Sequence, residues 1–79
     1  MKVRILFFGA TADAAGEREV EMEIPPGQQA GPVFRGVVDK YPDVGKHRLL
    51  FSLNQEYCEG DEIVKDGDEL AIFTAVSGG

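Results

Sequence analysis

The chain has 79 residues, a length that fits one domain rather than two. Hydrophobic residues make up 43% of it and charged residues 28%, a composition typical of a folded globular protein and not of a disordered one. Its formal net charge of −6 disfavours binding to nucleic-acid phosphates or anionic membranes and suits a partner with a basic surface.

Cysteine usage and hydropathy indicate the compartment. With Cys58 as its one cysteine, the chain forms no internal disulfide, which favours a reducing environment. The apolar run after Arg4 ends at Gly9 without a signal-peptide cleavage pattern, and no apolar stretch is long enough to span a bilayer. We therefore expect a cytoplasmic protein that does not associate with membranes.

The first predicted element is a strand over residues 2–9. Val3, Ile5 and Phe7 fall on one of its faces. The other face begins with charged residues and becomes apolar towards its end, so we expect a central strand that is partly covered on both sides.

A short helix and a second strand are predicted next. Residues 10–16 are rich in alanine and predict one or two helical turns, with Thr11 as a possible cap and Gly16 as the stop. Residues 17–24 alternate glutamate with mostly apolar residues, which predicts a strand with one wet face and one core face. The glutamates are interpreted as a solvated strand face and not as a ligand set.

The rest of the chain predicts one main helix followed by three strands. Pro32 suits the first position of the helix, an apolar stripe runs through residues 33–41, and Pro42 ends it. Strands are predicted over residues 49–54, 56–58 and 69–75.

This order of elements predicts an α+β fold of the β-grasp kind, with a mixed sheet of four to five strands packed on one main helix. The first two strands should pair antiparallel, and the first and last strands should be neighbours at the centre of the sheet. We expect residues 1–75 to form the domain and residues 76–79 a flexible C-terminal diglycine tail.

The sequence ends on Val76, Ser77, Gly78 and Gly79, directly after the last predicted strand. Glycine has no Cβ, so two glycines make the thinnest tail that a chain can have. Such a tail can enter a narrow channel and place its carboxylate at the catalytic centre of another protein. The alternative is an ordinary frayed terminus.

The chain offers little catalytic chemistry of its own. His47 lies in a charged loop, and Cys58 is followed by acidic residues, which raise the pKa of a thiol instead of activating it. The dense acids between positions 59 and 69 lack the spacing of a calcium loop. We expect no metal site and no catalytic triad.

In four segments the chain resembles the MoaD/ThiS family of ubiquitin-like sulfur carriers, and within it the small subunits of molybdopterin synthase. These segments are residues 3–10 (VRILFFGA), 53–57 (LNQEY), 66–73 (DGDELAIF) and 76–79 (VSGG). The chain departs from the family at Thr74 and Ala75, where two prolines are common, and in its helix at Gly31, Pro32 and Gly36.

The resemblance implies a function for the tail. A ubiquitin-activating-type adenylyltransferase would use ATP and magnesium to adenylate the carboxylate of Gly79, and sulfur would then replace AMP to give a thiocarboxylate. The large subunit of molybdopterin synthase would accept this tail, in a heterotetramer, and use its sulfur to build the dithiolene of molybdopterin. The carrier itself would bind no cofactor, and the catalytic residues would lie on its partners.

For partner binding we single out three aromatic residues and the tail. Phe73 is the first candidate because it lies on the last strand, opposite the face of Leu70 and Ile72; Phe8 and Phe51 are weaker candidates. Packing in the core is the alternative for all three. Val76 and Ser77 would contact partners as the base of the tail.

Three other functions stay open from sequence. The chain could carry sulfur for thiazole, a tRNA base or an amino acid. It could be a ubiquitin-like protein modifier joined to lysines through Gly79. It could also be a plain β-grasp binding module with a tail of no consequence.

Overall fold

Alternating apolar residues form the strand at the centre of the fold. The computed structural model describes residues 1–75. In it β1 spans Lys2–Phe7 and buries Val3, Ile5 and Phe7, as the alternation predicts. Strand β2, Glu19–Glu23, pairs with β1 antiparallel and is shorter than the predicted 17–24.

Helix α1, Ala10–Ala15, follows β1 and is flanked by a glycine at each end. Gly9 occupies the N-terminal cap position, and Gly16 ends the helix in the left-handed conformation with φ 78°. The prediction of Thr11 as the cap is wrong. Thr11 lies inside the helix and is fully buried, and no side chain caps the N-terminus.

The main helix, α2, spans Ala30–Lys40 and begins two residues before the predicted start at Pro32. The predicted apolar stripe extends to Tyr41, but Tyr41 is only half-buried, so the fully buried part of the stripe is shorter than predicted. The helix ends just before Pro42, as predicted, because proline disfavours helical conformation in the residue that precedes it. The buried residues of the stripe are Ala30, Val33, Phe34 and Val37.

The C-terminal half supplies the remaining strands. A 3₁₀ turn at Val44–Lys46 buries Val44 and leads into β3, Leu49–Leu53. Asn54 and Gln55, both with positive φ, turn the chain into the short edge strand β4, Glu56–Tyr57. The last strand, β5, spans Glu69–Thr74.

These strands form one sheet in the order β2-β1-β5-β3-β4, in which β1 and β5 run parallel at the centre. Helix α2 packs on one face of this mixed sheet, with the ring centroids of Phe34 and Phe51 4.3 Å apart. The predicted β-grasp fold and the central pairing of the first and last strands are therefore confirmed. The expected central position of β1 is confirmed, but the expected partial cover on its second face is limited to Leu6, which is half-buried, while Lys2, Arg4 and Phe8 are exposed.

Neither helix within residues 1–75 is long and apolar enough to cross a membrane.

Candidate functional site

The sheet face that carries no helix is the first part of the site, and we call it the open face. Strand register decides which side chains lie on it, because directly paired residues point to the same side. Leu6 pairs with Ala71, and Leu50 pairs with Phe73. Ser52, opposite Ala71, also pairs with Tyr57. The open face thus includes Leu6, Leu50, Ser52, Tyr57, Ala71 and Phe73.

One part of the open face is an apolar patch, formed by Leu6, Phe8, Leu50, Tyr57, Ala71 and Phe73. Phe73 is half-buried and its ring centroid lies 5.9 Å from that of Tyr57. Phe8 continues the alternation of β1 and is 52% exposed, and Tyr57 is 76% exposed. Exposed aromatic residues around a half-buried aromatic are typical of a protein-binding surface.

The other part of the open face is acidic. The edge strand β2 places Glu19, Glu21 and Glu23 there in a row, opposite Leu6, Arg4 and Lys2 of β1. We call these three glutamates the acidic row. The Arg4 guanidinium lies 4.0 Å from the Glu19 carboxylate and 3.8 Å from that of Glu69. Arg4 is half exposed, so these ion pairs contribute little to stability and leave a negative edge beside the apolar patch.

The root of the C-terminal tail lies at the same end of the sheet as Phe8 and Phe73. The last described residue, Ala75, donates its backbone N–H to the carbonyl of Arg48 at 3.1 Å, which fixes the direction in which β5 leaves the sheet. The predicted functional residues Val76, Ser77, Gly78 and Gly79 lie outside the described residues.

A buried threonine holds the apolar patch and the tail root together. The Thr11 hydroxyl oxygen lies 2.8 Å from the carbonyl oxygens of both Phe8 and Ile72, and it accepts the backbone N–H of Phe8 at 3.0 Å. The same Phe8 N–H also donates to the Ile72 carbonyl at 3.1 Å. Because one hydroxyl bridges the ends of β1 and β5, the position of Phe8 is tied to the end of the last strand.

The three aromatic candidates do not form one surface. Phe51 pairs with Ile72 on the core side of β3 and packs against Phe34 of α2, so it lies on the opposite face of the sheet from Phe73. The sequence prediction missed Tyr57 and Leu50 in the apolar patch. Leu50 lies beside Phe73 because of the register in which β3 pairs with β5, and that register cannot be inferred from the local sequence.

Cys58 and His47 differ in their surroundings. His47 is exposed beside β3, whereas Cys58 is half-buried after β4. Burial raises the pKa of the Cys58 thiol, and the charge of Glu62 raises it further, so the thiol is protonated at neutral pH. Within residues 1–75, no three His, Cys, Asp or Glu side chains are grouped to hold a metal ion.

The fold and the site define a class of protein. It is a ubiquitin-like β-grasp domain that presents an apolar patch on its open face and leads its last strand away beside that patch. Residues 5–79 match the ThiS family, and the chain belongs to that family.

Three relatives that match this chain along its full length bear the same name. The chain is 35% identical to the molybdopterin synthase sulfur carrier subunit of Mycobacterium tuberculosis, with 100% of this chain and 99% of the relative covered. It is 32% identical to the protein of that name from Chlamydomonas reinhardtii, with both chains covered completely. The human protein of that name is 28% identical, with 99% of this chain and 94% of the relative covered.

Solved structures agree on the fold. SAMP1 of Haloferax volcanii superposes with a TM-score of 0.87 at 25% identity, and both chains are covered completely. A chain from the complex of subunits 1 and 2 of the molybdopterin-converting factor of Helicobacter pylori superposes with a TM-score of 0.73 at 20% identity, again with complete coverage of both chains.

Proposed function

We propose that this protein is a cytoplasmic sulfur carrier, the small subunit of a molybdopterin synthase, and that it carries sulfur as a thiocarboxylate on Gly79. The full-length relatives of the same name support the assignment. The observation that carries it is the position of Ala75: β5 leaves the sheet beside the apolar patch and continues directly into the sequence VSGG.

The chemistry follows from the poor reactivity of a carboxylate. One carboxylate oxygen of Gly79 attacks the α-phosphorus of ATP, and pyrophosphate leaves. The terminal sulfur of a donor persulfide then attacks the acyl carbon of the adenylate and AMP leaves, which gives an acyl disulfide. A thiol attacks the donor sulfur of that disulfide, the S–S bond breaks, and the thiocarboxylate is released while the two thiol sulfurs form a disulfide. ATP and magnesium belong to the activating partner. This chain supplies the terminus, and Gly78 keeps the approach to the acyl carbon narrow.

We further propose that two partners use the open face in turn. One is the adenylyltransferase of the ubiquitin-activating type, and the other is the large synthase subunit. The four residues after Ala75 reach at most about 14 Å from it, so a partner that acts on Gly79 must approach the end of the sheet where Phe8 and Phe73 lie. The H. pylori neighbour, itself a chain of a two-subunit complex, supports a large-subunit partner.

The first experiment measures the intact mass of the protein after incubation with an activating partner, ATP and a sulfur donor. We expect a mass gain that corresponds to one oxygen exchanged for sulfur, and no gain in a variant that lacks Gly79. Addition of the large subunit and pterin precursor should then return the original mass. A full-length chain that stays unmodified with a panel of such partners rules out the carrier function.

Phe73→Ala tests the docking surface. Because Phe73 is the half-buried centre of the apolar patch, its truncation should weaken binding to the large subunit by about 2 kcal/mol or more, as at other aromatic hot spots. Titration calorimetry measures the affinity, and thermal unfolding checks the fold. Ile63→Ala is the matched control: Ile63 is 52% exposed, like Phe8, but bridges to Gln29 outside the sheet. A similar loss of affinity in both variants contradicts docking through the patch.

The similarity to SAMP1, whose fuller name is small archaeal modifier protein 1, supports a second candidate function. A protein modifier uses the same adenylate but joins Gly79 to a lysine amine through an isopeptide bond. Blotting cell extracts for adducts of higher mass, with the Gly79 deletion as control, separates the two functions.

A further inference from the structure

The helix side of the molecule carries a pocket of about 330 Å³, opposite the open face. Its floor consists of the rings of Phe34 and Phe51, which lie 4.3 Å apart at 35°, together with Val38. Cys58 contributes its half-buried thiol. Phe51 therefore has an accessible surface, but this surface lies in a different place from the patch around Phe73.

One wall of the pocket is held close by two glycines. The Gly31 N–H donates to the Gly60 carbonyl at 2.8 Å, and a Cβ on Gly31 would lie only 3.1 Å from that oxygen. The Glu62 carboxylate accepts the backbone N–H groups of Glu59 and Gly60 at 2.8 Å each. The loop after β4 is thus fastened to the start of α2, and the pocket is formed before anything binds.

The residues that line the rim carry one charge of each sign, and the chain segment around Glu59 is acidic. The loop side includes Glu59, and residues 56–62 contain four acids and no base. The helix side contributes Arg35, an exposed cation at the mouth of an aromatic pocket. A guanidinium in this position can stack on a ring that enters the pocket, while the acids attract cations beside it.

We propose that this pocket is a second docking site, which binds an aromatic side chain from a basic segment of a partner protein. The volume is at the lower end of ligand pockets and suits one side chain, and the two phenyl rings offer an aromatic partner favourable edge or offset contacts. Four acids in residues 56–62 disfavour an acidic segment or a free carboxylate. Since the pocket and Phe73 lie on opposite faces, both can be occupied together.

Binding of short peptides tests the proposal directly. One peptide has a central tryptophan between lysines, a second has alanine in place of the tryptophan, and a third has glutamates in place of the lysines. Because Cys58 is the one cysteine and lines the pocket, occupancy should slow its alkylation, measured at alkaline pH since the raised pKa suppresses the thiolate at neutral pH. Backbone amide shifts of residues 31–38 and 58–60 serve as the second readout.

We expect the tryptophan–lysine peptide to protect Cys58 and to bind about tenfold more tightly than either of the other two, a difference of about 1.4 kcal/mol. Glu59→Gln should weaken binding of this peptide. The change is at an exposed position, and it leaves in place the hydrogen bond that the backbone N–H of residue 59 donates to Glu62. Val38→Trp should also weaken peptide binding, because the introduced indole ring would fill the pocket. Phe73→Ala should have no effect.

Three results overturn the proposal. Equal binding of the alanine peptide means general attraction to acidic residues, and absence of binding by the tryptophan–lysine peptide means that the pocket is not a docking site. Loss of peptide binding in Phe73→Ala would also contradict the proposal, because it would place the peptide site on the open face. None of these outcomes depends on Gly79, so they leave the proposed sulfur chemistry untouched.

Discussion

At the scale of single residues, Thr11 shows how a short helix serves the site. A threonine in a six-residue alanine-rich segment predicts a helix cap, yet its hydroxyl bonds to Ile72, 61 positions along the chain. That partner cannot be inferred locally, since no pattern around Thr11 refers to β5. The hydroxyl joins Phe8, an exposed residue of the apolar patch, to the strand that carries the tail.

Thr11→Val tests this bridge, with Thr11→Ser as the variant that keeps the hydroxyl. Valine removes one of the two acceptors of the Phe8 N–H, so that amide should exchange with solvent faster. Each carbonyl keeps one other donor, so the free energy of unfolding should fall by only about 1–2 kcal/mol. Serine should retain slow exchange and lose about 0.8 kcal/mol for the missing methyl group. Equal exchange in the two variants contradicts the bridge. Hydrogen exchange followed by NMR provides the measurement.

Glu62 should make the stability of the domain depend on pH. The backbone N–H of Glu59, followed by those of Glu62 and Gly60, stabilises the carboxylate and holds the pKa of Glu62 below its ordinary value. A lowered folded-state pKa stabilises the fold above the unfolded pKa, about 4.3, and this contribution is lost as the pH falls through the folded pKa.

Urea unfolding of the wild type and Glu62→Gln over a pH series measures the effect. The stability difference between the two proteins should be constant near neutral pH and shrink below the ordinary glutamate pKa. A difference independent of pH would show that the carboxylate charge contributes nothing to the loop.

At the scale of elements, α2 shows what a sequence cannot predict. Pro32 suits the first turn of a helix, and the chain does place it there, but as the third helical residue. The two earlier positions are helical because Ala30 N–H donates to the Glu62 carbonyl and Gly31 N–H to that of Gly60, each at 2.8 Å. These carbonyls satisfy donors that a helix start otherwise leaves unpaired, and they come from a distant loop.

The sequence predicts which face of a strand is buried only where the two faces differ in polarity. In β2 glutamates alternate with Val20 and Met22, so its wet face was evident from sequence. In β3, Leu49, Leu50 and Phe51 are apolar in succession, and only the pairing with β5 assigns Leu50 to the open face and Phe51 to the core. This ambiguity explains why Phe51 and Phe73 were grouped together.

Two glycines of α2 should respond oppositely to alanine. A Cβ on Gly36 would meet no atom within 4 Å apart from its chain neighbours and the backbone of its own helix, and Gly36 is exposed, so Gly36→Ala should stabilise the domain by about 1 kcal/mol. A Cβ on Gly31 lies 3.1 Å from the Gly60 carbonyl oxygen, and either the loop or the helix must shift. Gly31→Ala should therefore lose stability. Urea unfolding compares them, and equal gains in both variants contradict the close contact.

At the scale of the whole molecule, the sheet separates two surfaces with different properties. The open face carries the apolar patch and the acidic row, and the other face carries α2 and the pocket beside Phe51. The fold class and the central pairing of β1 with β5 could be predicted, because the order of elements and the family resemblance both indicate them. The division of aromatic residues between the faces could not, since it depends on register between distant strands.

Charge on the open face should govern how fast the carrier meets its large subunit. A net charge of −6 favours encounter with a basic surface, and the association rate should fall as salt screens the attraction. Glu21 lies in the acidic row opposite Arg4, whereas Asp39 is exposed on α2. Glu21→Gln and Asp39→Asn remove the same charge from the two sides of the molecule.

If docking occurs through the open face, Glu21→Gln should slow association about twofold at low salt and Asp39→Asn should leave the rate nearly unchanged, because a charge acts mainly within a Debye length of about 10 Å. Stopped-flow mixing with the large subunit measures both rates. Equal slowing would attribute steering to net charge alone, and a rate that is indifferent to salt would show that the partner does not present a basic surface to the acidic row.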